Sequence, residues 1–342
     1  MVSLSQSLAL PSFPARPSLP ARYRDAALFV LLAVLFGGAF VAIKTGLRGL
    51  PPVLFAGLRF DVAAVALLAY VALSRPRSAW LPQTRADALG IAVAATFLVA
   101  LNNAFLFVGQ ATTTPAAAAV MYGLNPVLAP VFAWALLGRR LARVEVAGIA
   151  VALGGVLLIV GPSPSALVDP DAVGGLFVLV AAGAVALGSV LLRRLDARMD
   201  SVALTAWAMA GGALLLHGAS LAVGESPASV LAADAATVAS VLVVGLPSTA
   251  VAYAIYFGLI ARLGPVRANL VAYAVPVFAA LSGWLVLGAR VSLSTLLGFL
   301  VVVAGFALVE REAIRAELCR LRRRPARDDD APDAAPSPPC DD

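Results

Sequence analysis

Apolar residues do not alternate with polar ones along this chain; they come in runs of about 20, separated by short polar connections. The runs cover roughly 25–46, 52–73, 87–109, 114–137, 143–161, 172–192, 201–223, 235–258, 265–287 and 292–310. About 20 residues at 1.5 Å of rise span the ~30 Å hydrocarbon layer as a helix. Only helices and closed barrels satisfy the backbone in lipid, and the absence of a period of two argues against a barrel. The pattern predicts an all-α integral membrane protein with ten transmembrane helices. Residues 1–24 are Ser/Pro/Arg-rich and lack the apolar core of a cleaved signal peptide. Residues 311–342 turn from basic to acidic and Pro-rich ("APDAAPSPPCDD"). Neither end buries enough to order itself, so both read as disordered tails.

The composition agrees. Of 342 residues 61% are hydrophobic and 13% charged, against about a quarter charged in soluble domains. The net charge of +6 would suggest nucleic acid only if the basic residues clustered on a soluble face, and they lie between apolar runs. One histidine, His217, and two cysteines, Cys319 and Cys340, exclude the usual metal clusters and a disulfide framework. No metal or cofactor is expected. Cys319 reads as a free thiol or a palmitoylation site, and Cys340 is one position off a prenylation box. No zinc-protease helix, phosphate loop or nucleophile elbow occurs, so the chain is not expected to be an enzyme.

Basic residues set the orientation. Alternate connections and both tails hold 21 of them, including Arg75, Arg77, Arg139, Arg140, Arg193, Arg194, Arg262 and Arg267. The opposite connections hold three, Lys44, Arg48 and Arg290. Both termini are therefore expected on the cytoplasmic side of the cell membrane.

Sliding the chain against itself by 150 residues pairs Pro115 with Pro265, Pro126 with Pro276, Trp134 with Trp284 and Gly138 with Gly288. It also pairs Gly148 with Gly298 and Gly155 with Gly305. Without a gap, 13 of 44 positions from 115 to 158 are identical to 265–308. That is a fixed-period repeat rather than shared composition. The expected division is 25–161 for the first repeat and 162–310 for the second, five helices each. An odd number makes the halves enter the membrane from opposite sides. Inverted repeats of this kind build secondary transporters, with a substrate site near the midplane.

Within the fourth and ninth runs Pro126 and Pro276 fall near the middle. Each deprives the carbonyl four residues earlier, at Tyr122 and Ala272, of its helical donor. The pair reads as helix breaks or hinges. Arg59 lies about seven residues into the second run, ~10 Å below the membrane boundary, and is expected to face an anion in a cavity. Asp61 lies about 200° round the helix from an aligned partner, leaving it for another helix or a proton. Lys44, the sole lysine, reads either as a lure for anions in an outer vestibule or as an interfacial anchor. Asn102, Asn103, Gln110, Tyr122, Asn125, Tyr253, Tyr256 and Tyr273 supply polar tips for substrate contact or for gluing helices together. His217 reads as an interface residue.

"GGAFVAIKTGLRGLPPVLFAGLRF" (37–60), "PAAAAVMYGLNPVLAPVFAWALLGRRL" (115–141) and "VRANLVAYAVPVFAALSGWLVLGARV" (266–291) resemble the EamA-type transporters of the drug/metabolite transporter superfamily. The resemblance covers roughly 26–160 and 173–309 and rests on Lys44, Arg59 and the central prolines. It implies a cavity lined by spans 1–4 and 6–9, with spans 5 and 10 peripheral and available for a homodimer. It implies movement of small metabolites, often amino acids, by exchange or proton coupling. The family usually has glutamate after the Leu-Gly that closes spans 4 and 9, where this chain has Arg139 and Ala289. The expected function is therefore a secondary transporter, an exporter of anionic metabolites. A receptor, scaffold or lipid-handling protein on the same fold is the alternative.

Overall fold

The computed structural model describes residues 21–160, 170–195, 198–263, 268, 270–312 and 314–315. The greater part of both expected tails, Arg267 and the two cysteines lie outside these residues. Every element among the described residues is helical. Seven helices are long and apolar enough to cross a bilayer, and Val271–Leu287 and Leu293–Val309 are shorter apolar helices. The helices are α1 Ala21–Gly46, α2 Pro52–Ser74, α3 Arg85–Thr112 and α4 Pro115–Leu137. Next come α5 Arg143–Val160, α6 Pro170–Arg194 and α7 Ser201–Ala222. Then α8 runs as Ala235–Gly245 and Ala252–Leu263 about a π-helical stretch Leu246–Val251, followed by α9 Val271–Leu287 and α10 Leu293–Val309.

The connections that start these helices carry their own caps, because the first N–H groups of a helix have no internal partner. Thr84 and Asp87 form a capping box at α3. Thr114, Asp200, Asp234 and Ser292 accept from the first turns of α4, α7, α8 and α10. The start of α2 lacks a local cap; Glu225, after α7, supplies one by accepting from the N–H groups of Val53 (3.0 Å) and Leu54 (2.7 Å). At the other ends, Gly138 and Gly288 stop α4 and α9 in the left-handed conformation at φ 65°, which glycine adopts at no steric cost.

Packing follows a reciprocal scheme. α1 lies against α8 and α9, and α6 against α3 and α4; α2 lies along α7, α4 crosses α9, and α5 lies along α10. Exchanging each helix for the one five places along leaves these pairs unchanged. Buried apolar side chains from all ten helices form one continuous core, including Val156 of α5, Val244 of α8, Val275 of α9 and Val302 of α10. The α5–α10 seam is set by glycines. A Cβ on Gly148 would stand 2.7 Å from the carbonyl oxygen of Gly305, and one on Gly155 2.8 Å from that of Gly298. The two helices are therefore antiparallel and nearly in backbone contact, the mode by which small residues replace hydrophobic driving force in lipid. Alanine at Gly155 should destabilise the detergent-solubilised protein by about 1–3 kcal/mol through overpacking. Alanine at the adjacent Gly154, where a Cβ meets nothing within 4 Å, should leave thermal unfolding unchanged.

Candidate functional site

Among the buried side chains of the described residues two are charged, Arg59 and Asp87, and they are satisfied very differently. The Asp87 carboxylate accepts from the backbone N–H groups of Gln83, Thr84, Arg198 and Met199 at 3.0–3.2 Å. It staples the start of α3 to the α6–α7 connection, a structural role. Arg59, only 8% exposed, pairs with no carboxylate among the described residues, and its Nε has no hydrogen-bond partner. The guanidinium instead lies over the rings of Phe60 and Phe107, 4.4 and 5.3 Å from their centroids. Phe107 is held edge-on by Phe55 at 5.1 Å. Aromatic faces offset part of the cost of burying a cation, about 2.5–3.5 kcal/mol at membrane depth, and leave its donors for an anion. The ionisable groups acting on Arg59 most strongly are the hydroxyls of Tyr253 and Tyr122.

Those two tyrosines come from α8 and α4 and are set by rings of α1. Phe40 packs edge-on against Tyr122 at 6.2 Å and Phe36 against Tyr253 at 6.0 Å, with Tyr256 beside Tyr253 at 6.4 Å. From α3 come Asn102 and Asn103. Ala94–Leu101 is π-helical, which displaces carbonyls from their α-helical donors, a distortion common at functional sites. Both asparagines bond back onto it: Asn102 Nδ2 donates to Leu98 O at 3.0 Å, and Asn103 Nδ2 to Val99 O at 2.7 Å, which also accepts the N–H of Asn102. With its amide nitrogen so committed, Asn102 is left with a buried Oδ1 that has no partner, close to Tyr122. Gln110, two turns on and 1% exposed, has no partner for either side-chain amide atom.

Other expected site residues hold the frame instead. Lys44 donates from Nζ to the carbonyls of Gln110 (3.0 Å) and Ala111 (2.8 Å), closing the last turn of α3, with Asp171 nearby. Tyr273 lies apart from Arg59, tilted on Phe306 at 4.1 Å in the satellite cluster of Val127 and Ala152. The break near Pro126 falls earlier than the proline: α4 is interrupted at Gly123–Leu124, and Pro126 stands in the first turn of the segment that begins at Asn125. Asn125 Nδ2 donates to Tyr122 O at 3.1 Å, so the carbonyl deprived by Pro126 is satisfied by the preceding side chain. Pro276 lies inside the continuous helix α9. Valine at Asn125, the residue type that occupies the matching position 275, should cost about 1–3 kcal/mol by leaving that carbonyl bare. Thermal unfolding in detergent measures it.

The positions after Leu-Gly also find an explanation. Arg139 pairs with Glu145 at the start of α5, and Glu145 accepts from Ala142 N at 2.8 Å. Beside them burial pushes the half-buried Glu310 carboxyl up, against the opposing pull of Arg139. The acid absent from position 139 is thus supplied from the next helix. Sequence reading missed the partnership of Asp61 with His217, at 2.7 Å across the α2–α7 seam; its one trace was an aspartate turned away from Arg59.

The described residues thus build a multi-pass bundle of membrane-length apolar helices that buries Arg59 without a carboxylate partner among them. Residues 25–161 and 172–311 match the model of the EamA-like transporter family, and the chain belongs to that family. It is 28% identical to an uncharacterized transporter of Archaeoglobus fulgidus over 83% of this chain and 98% of the other. It is also 28% identical to a probable amino-acid metabolite efflux pump of Escherichia coli, over 85% and 98%. The uncharacterized inner membrane transporter YedA of Escherichia coli is 28% identical over 75% and 80%. A crystal structure of a 21% identical protein superposes with a TM-score of 0.56, covering 86% of this chain and 99% of that one. The protein therefore handles a small-molecule substrate within a lipid bilayer.

Proposed function

We propose that the protein is a secondary transporter of the cytoplasmic membrane that exports small metabolites bearing an anionic group. Its two halves, 25–161 and 162–310, are inverted five-helix repeats that rock about the substrate, with the tails 1–24 and 311–342 in the cytoplasm. The observation that carries the substrate class is Arg59, a buried guanidinium with no carboxylate partner, framed by Phe60, Phe107, Tyr122 and Tyr253. An anion there replaces the lost hydration and accepts charge-assisted hydrogen bonds, while Asn102 Oδ1 offers an acceptor to a neutral donor on the same molecule. Gln110, two turns further along α3, carries a second buried side chain without a partner. Export is favoured by the relatives named as amino-acid metabolite efflux pumps.

Support for inversion comes from the reciprocal packing scheme and from the Gly148–Gly305 and Gly155–Gly298 contacts. In the repeat register each of these contacts maps onto the other, as a two-fold axis in the membrane plane requires. The glycine faces of α5 and α10 are consumed within the chain. A homodimer through these helices would use their outward faces, where Leu157, Leu297 and Leu300 are exposed.

Glutamine at Arg59 should cut transport of organic anions in proteoliposomes roughly 10–100-fold, the loss of one charge-assisted contact of about 1.5–3 kcal/mol, while insertion persists. Normal transport by that variant removes the substrate assignment. Inversion is read separately: membrane-impermeant labelling of single cysteines at Arg139 and Arg290 should mark opposite faces of the bilayer. Labelling from one face rejects the inverted halves and favours a non-transporting use of the fold.

A further inference from the structure

Charge balance around Arg59 narrows the class of anion, given the anion site proposed above. Arg59 brings one positive charge into the bundle and pairs with no carboxylate among the described residues. Asp61, two residues on, lies about 200° round α2, with its Oδ2 2.7 Å from His217 Nε2 on α7. Every other Asp or Glu of the described residues stands near a helix end or in a connection. The unpartnered group beside the guanidinium is an acceptor. Asn102 is 4% exposed. Its Nδ2 donates to Leu98 O at 3.0 Å, which fixes the orientation of the amide and leaves Oδ1 buried without a donor. The Tyr122 hydroxyl stands beside both Arg59 and Asn102.

A ligand that seats its carboxylate on Arg59 therefore meets a lone oxygen acceptor and no negative charge. The group on the carbon next to the carboxylate decides the fit. A hydroxyl gives Asn102 Oδ1 the donor it lacks and adds no charge. An ammonium also donates, but it is a second cation. The carboxylate balances the guanidinium, and the ammonium is left buried without a counter-charge. Aromatic faces offset only part of that cost. A keto oxygen sets acceptor against acceptor, and a bare hydrogen leaves Oδ1 unsatisfied. We infer that the site selects monoanions with a neutral hydrogen-bond donor next to the carboxylate, as in 2-hydroxy acids, and discriminates against zwitterionic amino acids. The inference rests on the anion site at Arg59 and names the substrate class within it.

The test titrates the full chain in lipid nanodiscs at neutral pH with propanoate and 4-methylpentanoate, each bearing a hydroxyl, an ammonium, an oxo group or hydrogen at carbon 2. Calorimetry reads the affinities. In the tighter-binding series the hydroxy acid should exceed the unsubstituted acid roughly 5–10-fold, the worth of one net hydrogen bond. It should exceed the amino and oxo acids by about 10-fold or more. Asn102→Thr removes Oδ1, while its hydroxyl can keep the bond to Leu98 O, as Thr45 and Thr205 bond the carbonyls four residues before them. In that variant the hydroxy acid should fall to the affinity of the unsubstituted acid, whose own affinity does not fall; a merely structural role of Asn102 would weaken both together. An amino or oxo acid that binds as tightly as the hydroxy acid, or a hydroxy-acid preference that survives Asn102→Thr, overturns the inference. If binding is still lost in Arg59→Gln, the anion site itself stands. Binding untouched by Arg59→Gln, or no binding in either series, overturns both readings. Should Asn102→Thr fail to fold, the order of the four substituents in the parent decides.

Discussion

Hydrocarbon offers no hydrogen bonds, so every polar group this chain carries into it must bring or find a partner. Most of the architecture answers that requirement. The helices satisfy their own interiors, and polar residues at the connections cap their first turns. Where the chain leaves the α-helical path, a side chain bonds back onto the backbone: Asn102 and Asn103 at the π-helical stretch of α3, Thr249 on Val244 O at 2.6 Å in α8, and Asn125 at the break in α4. Asparagines that a sequence offers equally as substrate ligands or as interhelical glue do a third thing, bonding back onto the helix that holds them.

Against that background the unrepaired groups stand out. Arg59 Nε, Asn102 Oδ1, both side-chain amide atoms of Gln110 and, away from them on α9, Tyr273 Oη are buried without partners in a molecule that staples Asp87 with four backbone donors. The contrast between Asp87 and Arg59 is what the proposed anion site rests on. The aromatic surround fits this, since ring faces tolerate a cation without consuming its donors.

The two-fold pattern is the second organising constraint, and its exceptions are informative. Glycines at matching positions let α5 and α10 touch, and Gly138 and Gly288 end α4 and α9 alike. Several polar and charged groups do not follow the pattern: Arg59 corresponds to Met209, Asp61 to Gly211, Asn125 to Val275 and Glu145 to Thr295. Packing needs both halves to agree at the glycine contacts, whereas the polar groups are free to differ.

The apolar runs, the repeat and the depth of Arg59 are properties of a linear pattern, because helix length and membrane thickness are fixed independently of what packs against what. The all-helical, membrane-length character of most of these runs followed from the same pattern. Partnerships did not. That Lys44 donates to the end of α3, that Tyr273 belongs to the α9–α10 contact, and that Asp61 meets His217 all depend on which helices lie side by side and at what rotation. Rotation about a helix axis is decided by side-chain interlock across seams. Residues 156 positions apart in the chain, as Asp61 and His217 are, acquire a common chemistry only when that interlock is complete.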